Sequence, residues 1–354
     1  MPSPLIRCCL IAMTLSAPTW AAAGAPSAGC GRTVASGTYQ LPDQDLTRTY
    51  RVFVPSRYKP GTASPLVLVF HGWGGDENEF LSDGQVTELA DEHGYIVVAP
   101  RGLGSAAPDA NRNSWSFRGS STGLAGAGGA ICDPARTPDF TYPSCKGIAR
   151  NSCSWTQCQA DDVAFVIALV KEVESKLCVD TARVFASGGS NGGMFTWELG
   201  QNSASASTFR AIASLIGLPH RGYLESPGKA GAMPVLVITG THDTTVPPGA
   251  WESTRYTTTS DGDAYYYSSA SAIVRSWGPA NSCPYTGKRA TAFDAGTTEA
   301  DCRTYCGGRA QGWSGGSAGS GWPKVLDCRA AMGHEYGFNW AWKLILEFFD
   351  AQSR

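Results

Sequence analysis

The run Arg183-Val-Phe-Ala-Ser-Gly-Gly-Ser190-Asn-Gly-Gly-Met-Phe195 encloses one serine between two pairs of glycines. Glycine in an element interior costs about 0.5–1 kcal/mol relative to alanine, so this clustering marks a backbone path that side chains would obstruct. Val184–Ser187 reads as a strand, and the residues after Ser190 read as a helix. The chain must therefore turn sharply at the serine and present its hydroxyl at the corner, as a G-x-S-x-G turn does. In such a turn the residues two before and two after the serine crowd each other, which assigns Gly188 and Gly192 to the turn. Gly193 is then free to let the following helix pack closely on the sheet. Gly189 is the glycine that the turn does not demand.

The rest of the chain keeps the alternation that such a corner needs. Short apolar, β-rich runs occur at Tyr50–Val54, Leu66–Phe70, Tyr95–Ala99, Ala211–Ile216, Val235–Thr239 and Lys324–Asp327. Several are apolar at every position, the pattern of strands covered on both faces. Between them, Glu77–Glu92, Asp161–Leu177, Ala270–Trp277 and Trp340–Phe349 have helical spacing. In the second of these, Val163, Phe165, Val166, Leu169, Val170 and Val173 form one apolar stripe behind an acidic first turn. The alternation predicts an α/β fold, a mostly parallel sheet flanked by helices. Two Gly- and Ser-rich stretches break the rhythm, Leu103–Cys158 and Thr286–Trp322. The first (103–158) holds four cysteines and is expected to be a disulfide-stapled insertion or lid-like loop region. The second is expected to be pinned by Cys302 and Cys306. No repeat and no linker separates two cores, so residues 24–354 are read as a single catalytic domain.

Residues 1–23 read as a signal peptide: Arg7 precedes the apolar run Cys8–Ala17, and Ala21-Ala22-Ala23 offers a cleavage site near Ala23. The apolar run is too short to span a bilayer. Ser27-Ala28-Gly29 before Cys30 lacks the large apolar residue of a lipidation site, so a soluble secreted or periplasmic protein is expected. Of twelve cysteines, Cys8 and Cys9 fall in the leader, and the even remainder in an exported chain predicts disulfides of unassigned connectivity. Cys302 and Cys306 have no second pair and no histidine at matching spacing, so no metal is assigned to them. A formal charge of −2, a charged fraction of 16% and the lack of a basic cluster argue against nucleic acid and anionic membrane as partners.

A serine hydroxyl is a weak nucleophile that needs a base, itself oriented by an acid. Five histidines are available. His71 opens His71-Gly72-Trp73-Gly74-Gly75 directly after a strand, where a backbone donor for an oxyanion is expected and the imidazole itself reads as structural. His93 ends a helix, and His242 neighbours a better acid candidate. His220 follows the Ala211–Ile216 strand and faces the sheet's carboxyl edge, which makes it the runner-up base and a candidate substrate contact. His334, in Met332-Gly333-His334-Glu335-Tyr336-Gly337, lies on a glycine-flanked loop between the last strand and the last helix, and is the base preferred here. Asp243 follows the Val235–Thr239 strand, where a turn aspartate is the plainer alternative. The order Ser190, Asp243, His334 is that of the α/β-hydrolases. Ser190 is then the nucleophile, His334 the base and Asp243 the acid, with the backbone N–H groups of Trp73 and Asn191 as oxyanion donors. This mechanism requires no cofactor and no metal.

Asp161-Asp162-Val-Ala-Phe-Val followed by Arg183–Met194 resembles the secreted polyhydroxybutyrate depolymerase-like and feruloyl esterase family of α/β-hydrolases. Ala28-Gly-Cys30-Gly, His71-Gly72, Gly240–Pro247, Ser276–Cys283 and Gly333-His334 match in the same order and spread the likeness over most of the chain. The resemblance implies an α/β-hydrolase fold and hydrolysis of carboxylic esters, with feruloyl or acetyl esters of plant cell walls, or a polyester, as the polymer-linked substrate. It carries Ser190, Asp243 and His334 onto the family's triad positions. The chain departs from the family pattern at Gly189, where a larger apolar or aromatic residue is common, which predicts looser packing behind the serine. Trp73 stands where a smaller residue is frequent, and Asn113-Ser-Trp115-Ser-Phe117 is similar to the family's aromatic pocket segment. Trp73 and Trp115 are accordingly expected to bind substrate, with Trp313 or Trp322 as further cleft candidates. Trp197, Trp277 and Trp342 lie in helical patterns and read as core.

Two other readings stand beside this one. A non-catalytic carbohydrate- or surface-binding protein can use a hydrolase fold, because fold does not dictate function. Within enzymes, the feruloyl esterase reading competes with a polyhydroxyalkanoate depolymerase, an acetylxylan esterase and a secreted peptidase with the same triad.

Overall fold

The computed structural model describes residues 24–82, 84–104, 112–137, 142–149, 153–158, 161–223, 232–283, 290–306, 322–336 and 338–353. The expected leader, Trp313 and Gly337 lie outside them. Ten of the strands build one sheet: β1 (Gly37–Asp43), β2 (Leu46–Phe53), β3 (Ser64–Phe70), β4 (Ile96–Pro100), β5 (Val179–Gly189), β6 (Ala211–Leu215), β7 (Val235–Gly240), β10 (Thr291–Phe293), β11 (Ala300–Thr304) and β12 (Val325–Ala330). Their spatial order is β1-β2-β4-β3-β5-β6-β7-β12-β11-β10. A separate hairpin pairs β8 (Tyr256–Thr258) with β9 (Tyr266–Ser268). The strands from β4 across to β12 run parallel, while β1, β2, β10 and β11 add antiparallel edges. An antiparallel second strand, one crossover exchanging β3 and β4, and a serine turn after β5 make this an α/β-hydrolase fold.

The apolar strands are buried for the reason their sequence implies. Leu66, Leu68 and Phe70 of β3 face one layer and Val67 and Val69 the other, because alternate side chains point to opposite faces. The first layer is closed by α2 (Asp162–Lys176), α3 (Asn191–Gln201) and α4 (Ala270–Trp277), which supply Phe165, Leu169, Phe195, Trp197, Ile273 and Trp277. The second is closed by α1 (Gln85–His93) and α5 (Asn339–Gln352), through Val86, Ala90, Trp342 and Phe349.

Some elements differ from expectation. The helix expected over Glu77–Glu92 begins only at Gln85. Gly84, at φ +84°, breaks the path, and upstream the carboxylate of Glu77 is drawn into a bidentate pair with Arg101 (2.5 and 2.9 Å). The edge strand β1 has alternate residues half-buried and contains Gly37 and Pro42, so it carries no apolar run to read. Strands β10 and β11 fall inside Thr286–Trp322, the second of the two Gly- and Ser-rich stretches, where no strand was expected.

All ten cysteines of the described residues are paired. Cys30–Cys178 fastens the N-terminal segment to the start of β5, which leaves no thiol at Cys30 for lipid. Cys132–Cys153 and Cys145–Cys158 staple residues 132–158 internally. Cys302 and Cys306 act as separate pins, to Cys328 and Cys283.

Candidate active site

Strand β5 ends at Gly189 and α3 starts at Asn191, leaving Ser190 alone at the corner with φ 50° and ψ −117°. A non-glycine residue held there costs about 1–3 kcal/mol, and it persists only where the surroundings enforce it. They do so by close approach. A Cβ on Gly188 would lie 2.7 Å from the carbonyl oxygen of Phe70, and one on Gly192 would collide with that same oxygen. A Cβ on Gly193 would sit 2.8 Å from Ser214 Oγ and 2.9 Å from the Leu215 carbonyl, so α3 rests almost directly on the sheet. Ser190 itself donates its backbone N–H to Leu215 at 2.9 Å.

The acid and the base arrive on adjacent parallel strands. Asp243 follows β7, and one of its oxygens accepts the N–H groups of Thr245 and Val246 at 2.9 and 2.8 Å, so it is indeed a turn aspartate. Its other oxygen accepts from Nδ1 of His334 at 2.8 Å. The turn role fixes the carboxylate and leaves one oxygen to aim. His334 follows β12, and its loop is zipped to the Asp243 turn by Thr241 N–H to Ala330 (2.8 Å) and His242 N–H to Met332 (3.1 Å). Gly240 permits this crossing, since a Cβ there would lie 2.5 Å from the Gly333 carbonyl. His334 Nε2 then lies 2.9 Å from Ser190 Oγ. With Nδ1 donating to Asp243, Nε2 carries the lone pair that faces the hydroxyl. Ser190, His334 and Asp243 thus form one hydrogen-bonded chain at the carboxyl edge of the sheet.

The loop of Trp73 leaves β3 against this corner: a Cβ on Gly192 would lie 2.6 Å from the His71 carbonyl. His71 is fully buried, with Nδ1 donating to its neighbour's carbonyl (2.7 Å) and Nε2 accepting from Gly102 N–H (2.8 Å). Burial pulls its pKa down to about 4, so it holds the loop as a neutral ring. As the first residue of α3, Asn191 has no helical carbonyl behind its N–H, and the helix dipole adds positive potential there. Its side chain has a separate task. The amide accepts from Trp115 N–H at 2.7 Å and donates to the Trp115 carbonyl at 3.0 Å, holding the 113–117 segment against the start of α3.

Two of the expected substrate contacts are corrected. Trp115 is fully buried, stacked on Phe195 (5.3 Å between centroids) and edge-on to Phe70, so it supports the serine corner from beneath and has no face for a ligand. His220 is also fully buried. Its Nε2 accepts from the Trp155 indole at 2.9 Å, its Nδ1 contacts the Tyr266 carbonyl at 3.2 Å, and Phe117 and Tyr267 cover its faces. With both nitrogens engaged and both faces covered it offers no edge to a substrate or to Ser190, and burial lowers its pKa to about 3. Trp73 is partly exposed. Its indole donates to Tyr142 Oη (2.8 Å) and to the Trp155 carbonyl (3.2 Å), and Arg112 lies over its ring, so it joins the loop after β3 to the stapled insertion. Trp322 packs on Phe293 and Phe348 and is part of the second layer.

Sequence reasoning missed Tyr336 and Glu79. The space beside Gly189, expected to be loose, is filled: a Cβ there would meet the Tyr336 ring at 2.9–3.0 Å. Glu79 accepts the Gly72 N–H (3.2 and 3.3 Å) and also bonds the Tyr336 hydroxyl. The only sequence signal was an unexplained tyrosine two residues after the histidine.

No family model matches the chain. The feruloyl esterase C of Emericella nidulans is 26% identical over 201 residues, 55% of this chain and 54% of that protein. The probable feruloyl esterase C of Aspergillus flavus matches to the same extent, 26% over 201 residues. A bifunctional acetylxylan esterase/xylanase of Neocallimastix patriciarum is 26% identical over 156 residues, 44% of this chain and 16% of that protein. The chain spans about half the length of the feruloyl esterases it matches. Among solved structures, the acetyl xylan esterase from Aspergillus awamori covers 84% of this chain and 94% of its own at a TM-score of 0.49 and 15% identity. In sequence the chain is similar to the feruloyl esterases, and in fold it is an α/β-hydrolase.

Proposed function

We propose that the protein is a secreted serine esterase of feruloyl esterase type that hydrolyses plant cell-wall esters through an acyl-enzyme. The observation that carries this reading is the Asp243–His334–Ser190 chain at a strained strand-to-helix corner, with His334 Nε2 at 2.9 Å from the hydroxyl. Ser190 Oγ attacks the ester carbonyl as His334 Nε2 takes its proton. Asp243 holds the Nδ1 proton and stabilises the imidazolium. The N–H groups of Asn191 and Trp73 bind the oxyanion, each worth about 10²–10³ in turnover. His334 returns the proton to the leaving alcohol, and water activated by the same ring then frees the acid. Five disulfides fit an oxidising compartment, in keeping with secretion.

Acetylated xylan is the second substrate reading, favoured by the likeness to the Neocallimastix acetylxylan esterase/xylanase. A panel of methyl ferulate, acetylated xylan and polyhydroxybutyrate, run with a serine-directed fluorophosphonate, tests the proposal. The expected outcome is a single adduct at Ser190 and highest turnover on methyl ferulate. An unlabelled, folded protein would favour the non-catalytic binding reading.

A further inference from the structure

Three segments distant in the sequence meet behind Ser190: the oxyanion loop at Gly72, the turn at Gly189 and the histidine loop at Tyr336. Tyr336 touches all three. It stands two residues beyond His334, its ring lies against Gly189, and its hydroxyl occupies the place that a Cβ on Gly72 would need. Glu79 closes the circuit, accepting the Gly72 N–H through both oxygens (3.3 and 3.2 Å) and bonding the Tyr336 hydroxyl. The Tyr336 ring packs on Phe80, the neighbour of Glu79, with centroids 5.6 Å apart. Glycine at 72 and at 189 is therefore part of the same arrangement: a side chain at either position would displace the tyrosine.

We propose that Tyr336 and Glu79 are positioning residues, a clamp that holds the loop of Trp73 in register with the loop of His334 across Ser190. The clamp rests on the esterase reading given above. It acts through two groups that it does not carry, the N–H that meets the oxyanion and the imidazole that moves the proton. Both matter more in the transition state than in the bound ester, so loosening the clamp lowers kcat and leaves KM nearly alone. The anchor is a hydrogen bond to a carboxylate in a partly dry site, which is where such bonds are strongest.

The test compares wild type with Tyr336→Phe, Glu79→Gln and Glu79→Ala. It measures kcat and KM on p-nitrophenyl acetate and the affinity of an aryl trifluoromethyl ketone, whose hemiketal oxyanion depends on the same donors. Tyr336→Phe keeps the ring against Gly189 and removes only the hydroxyl. It is expected to lower kcat about tenfold, weaken the ketone by a similar factor and move KM by less than about twofold. Glu79→Ala is expected to lose at least as much, and Glu79→Gln, which keeps a carbonyl acceptor, to recover part of the loss. The double variant Tyr336→Phe with Glu79→Gln should lose less than the product of the single losses, because both break one unit. A Tyr336→Phe enzyme with a lower melting temperature but wild-type kcat and ketone affinity overturns the clamp and leaves the esterase reading intact. A folded wild-type protein that neither hydrolyses esters nor takes a fluorophosphonate overturns both.

Discussion

Trp155 donates its indole N–H to Nε2 of His220 at 2.9 Å, the atom that a general base would need free. His334 presents the same atom to Ser190 Oγ. The two histidines both follow parallel strands of the sheet, and they differ in which neighbour reaches Nε2 first. His334→Ala is therefore expected to abolish turnover while leaving the fold intact. His220→Ala removes the acceptor of a buried indole N–H and is expected to lower stability by about 1–3 kcal/mol while keeping measurable turnover. Steady-state rates and melting curves of the two variants check this, and the opposite pattern would reassign the base.

Asp243→Asn separates the shape of the acid from its charge. The asparagine oxygen can still accept from Thr245 and Val246, which turns its NH₂ toward Nδ1 of His334. Two donors then face each other, and the ring answers by moving its proton to Nε2, where it blocks proton transfer from Ser190. The expected loss in kcat is about 10⁴, as for the same change in other serine triads, with an unchanged melting temperature within a few degrees. A fall of less than about tenfold would mean that the aspartate serves only the turn.

Gly192→Ala probes the serine corner itself. The new Cβ would run into the Phe70 carbonyl oxygen and lie 2.5 Å from its carbon, and neither belongs to a flexible side chain. Strand β3 and helix α3 would have to separate, at an expected cost above about 3 kcal/mol. Gly61 is the control, since a Cβ there meets nothing within 4 Å. Soluble yield and denaturation midpoints should fall sharply for Gly192→Ala and stay at the wild-type level for Gly61→Ala.

Stability is expected to fall as the pH drops below 6.5. Burial lowers the pKa of His71 to about 4 and of His220 to about 3 from the ordinary imidazole value of about 6.5. Between those limits the unfolded chain binds protons that the native chain refuses, so acid favours unfolding. The two rings' contribution is complete above pH 6.5 and is lost as pH falls through the native values, on the order of 3 kcal/mol each. His93, whose pKa is raised by its hydrogen bond to Asp350, works in the opposite sense and gives its full contribution below pH 6.5. Urea midpoints at pH 7, 5.5 and 4.5 should decline in that order. Imidazole resonances should show His71 and His220 neutral at pH 5.5, and a flat stability profile would contradict the assignment.

The strand-to-helix corner, the parallel sheet and the residues of the Ser190–His334–Asp243 chain were legible in the sequence because each leaves a local mark. Buried strands are apolar without interruption, a crowded turn requires glycine, and a residue at the end of an apolar strand lies at the sheet's edge. The feruloyl esterase likeness adds to this, since its motifs occur in the same order. What stayed hidden depends on contacts between segments far apart in the chain. The strand β1 is read only through its pairing with β2, because its own residues are half exposed. Trp115 and His220 have the residue types of a binding wall, and only the packing of Phe195, Trp155 and Tyr267 around them turns them into core. Gly189 looked like an unfilled space because its filler, Tyr336, is remote in sequence and near only once β5 and β12 share a sheet. Local chemistry therefore determined which residues stand at the corner, and tertiary packing decided what they touch, since a side chain's neighbours are set by strand order and not by its place in the chain.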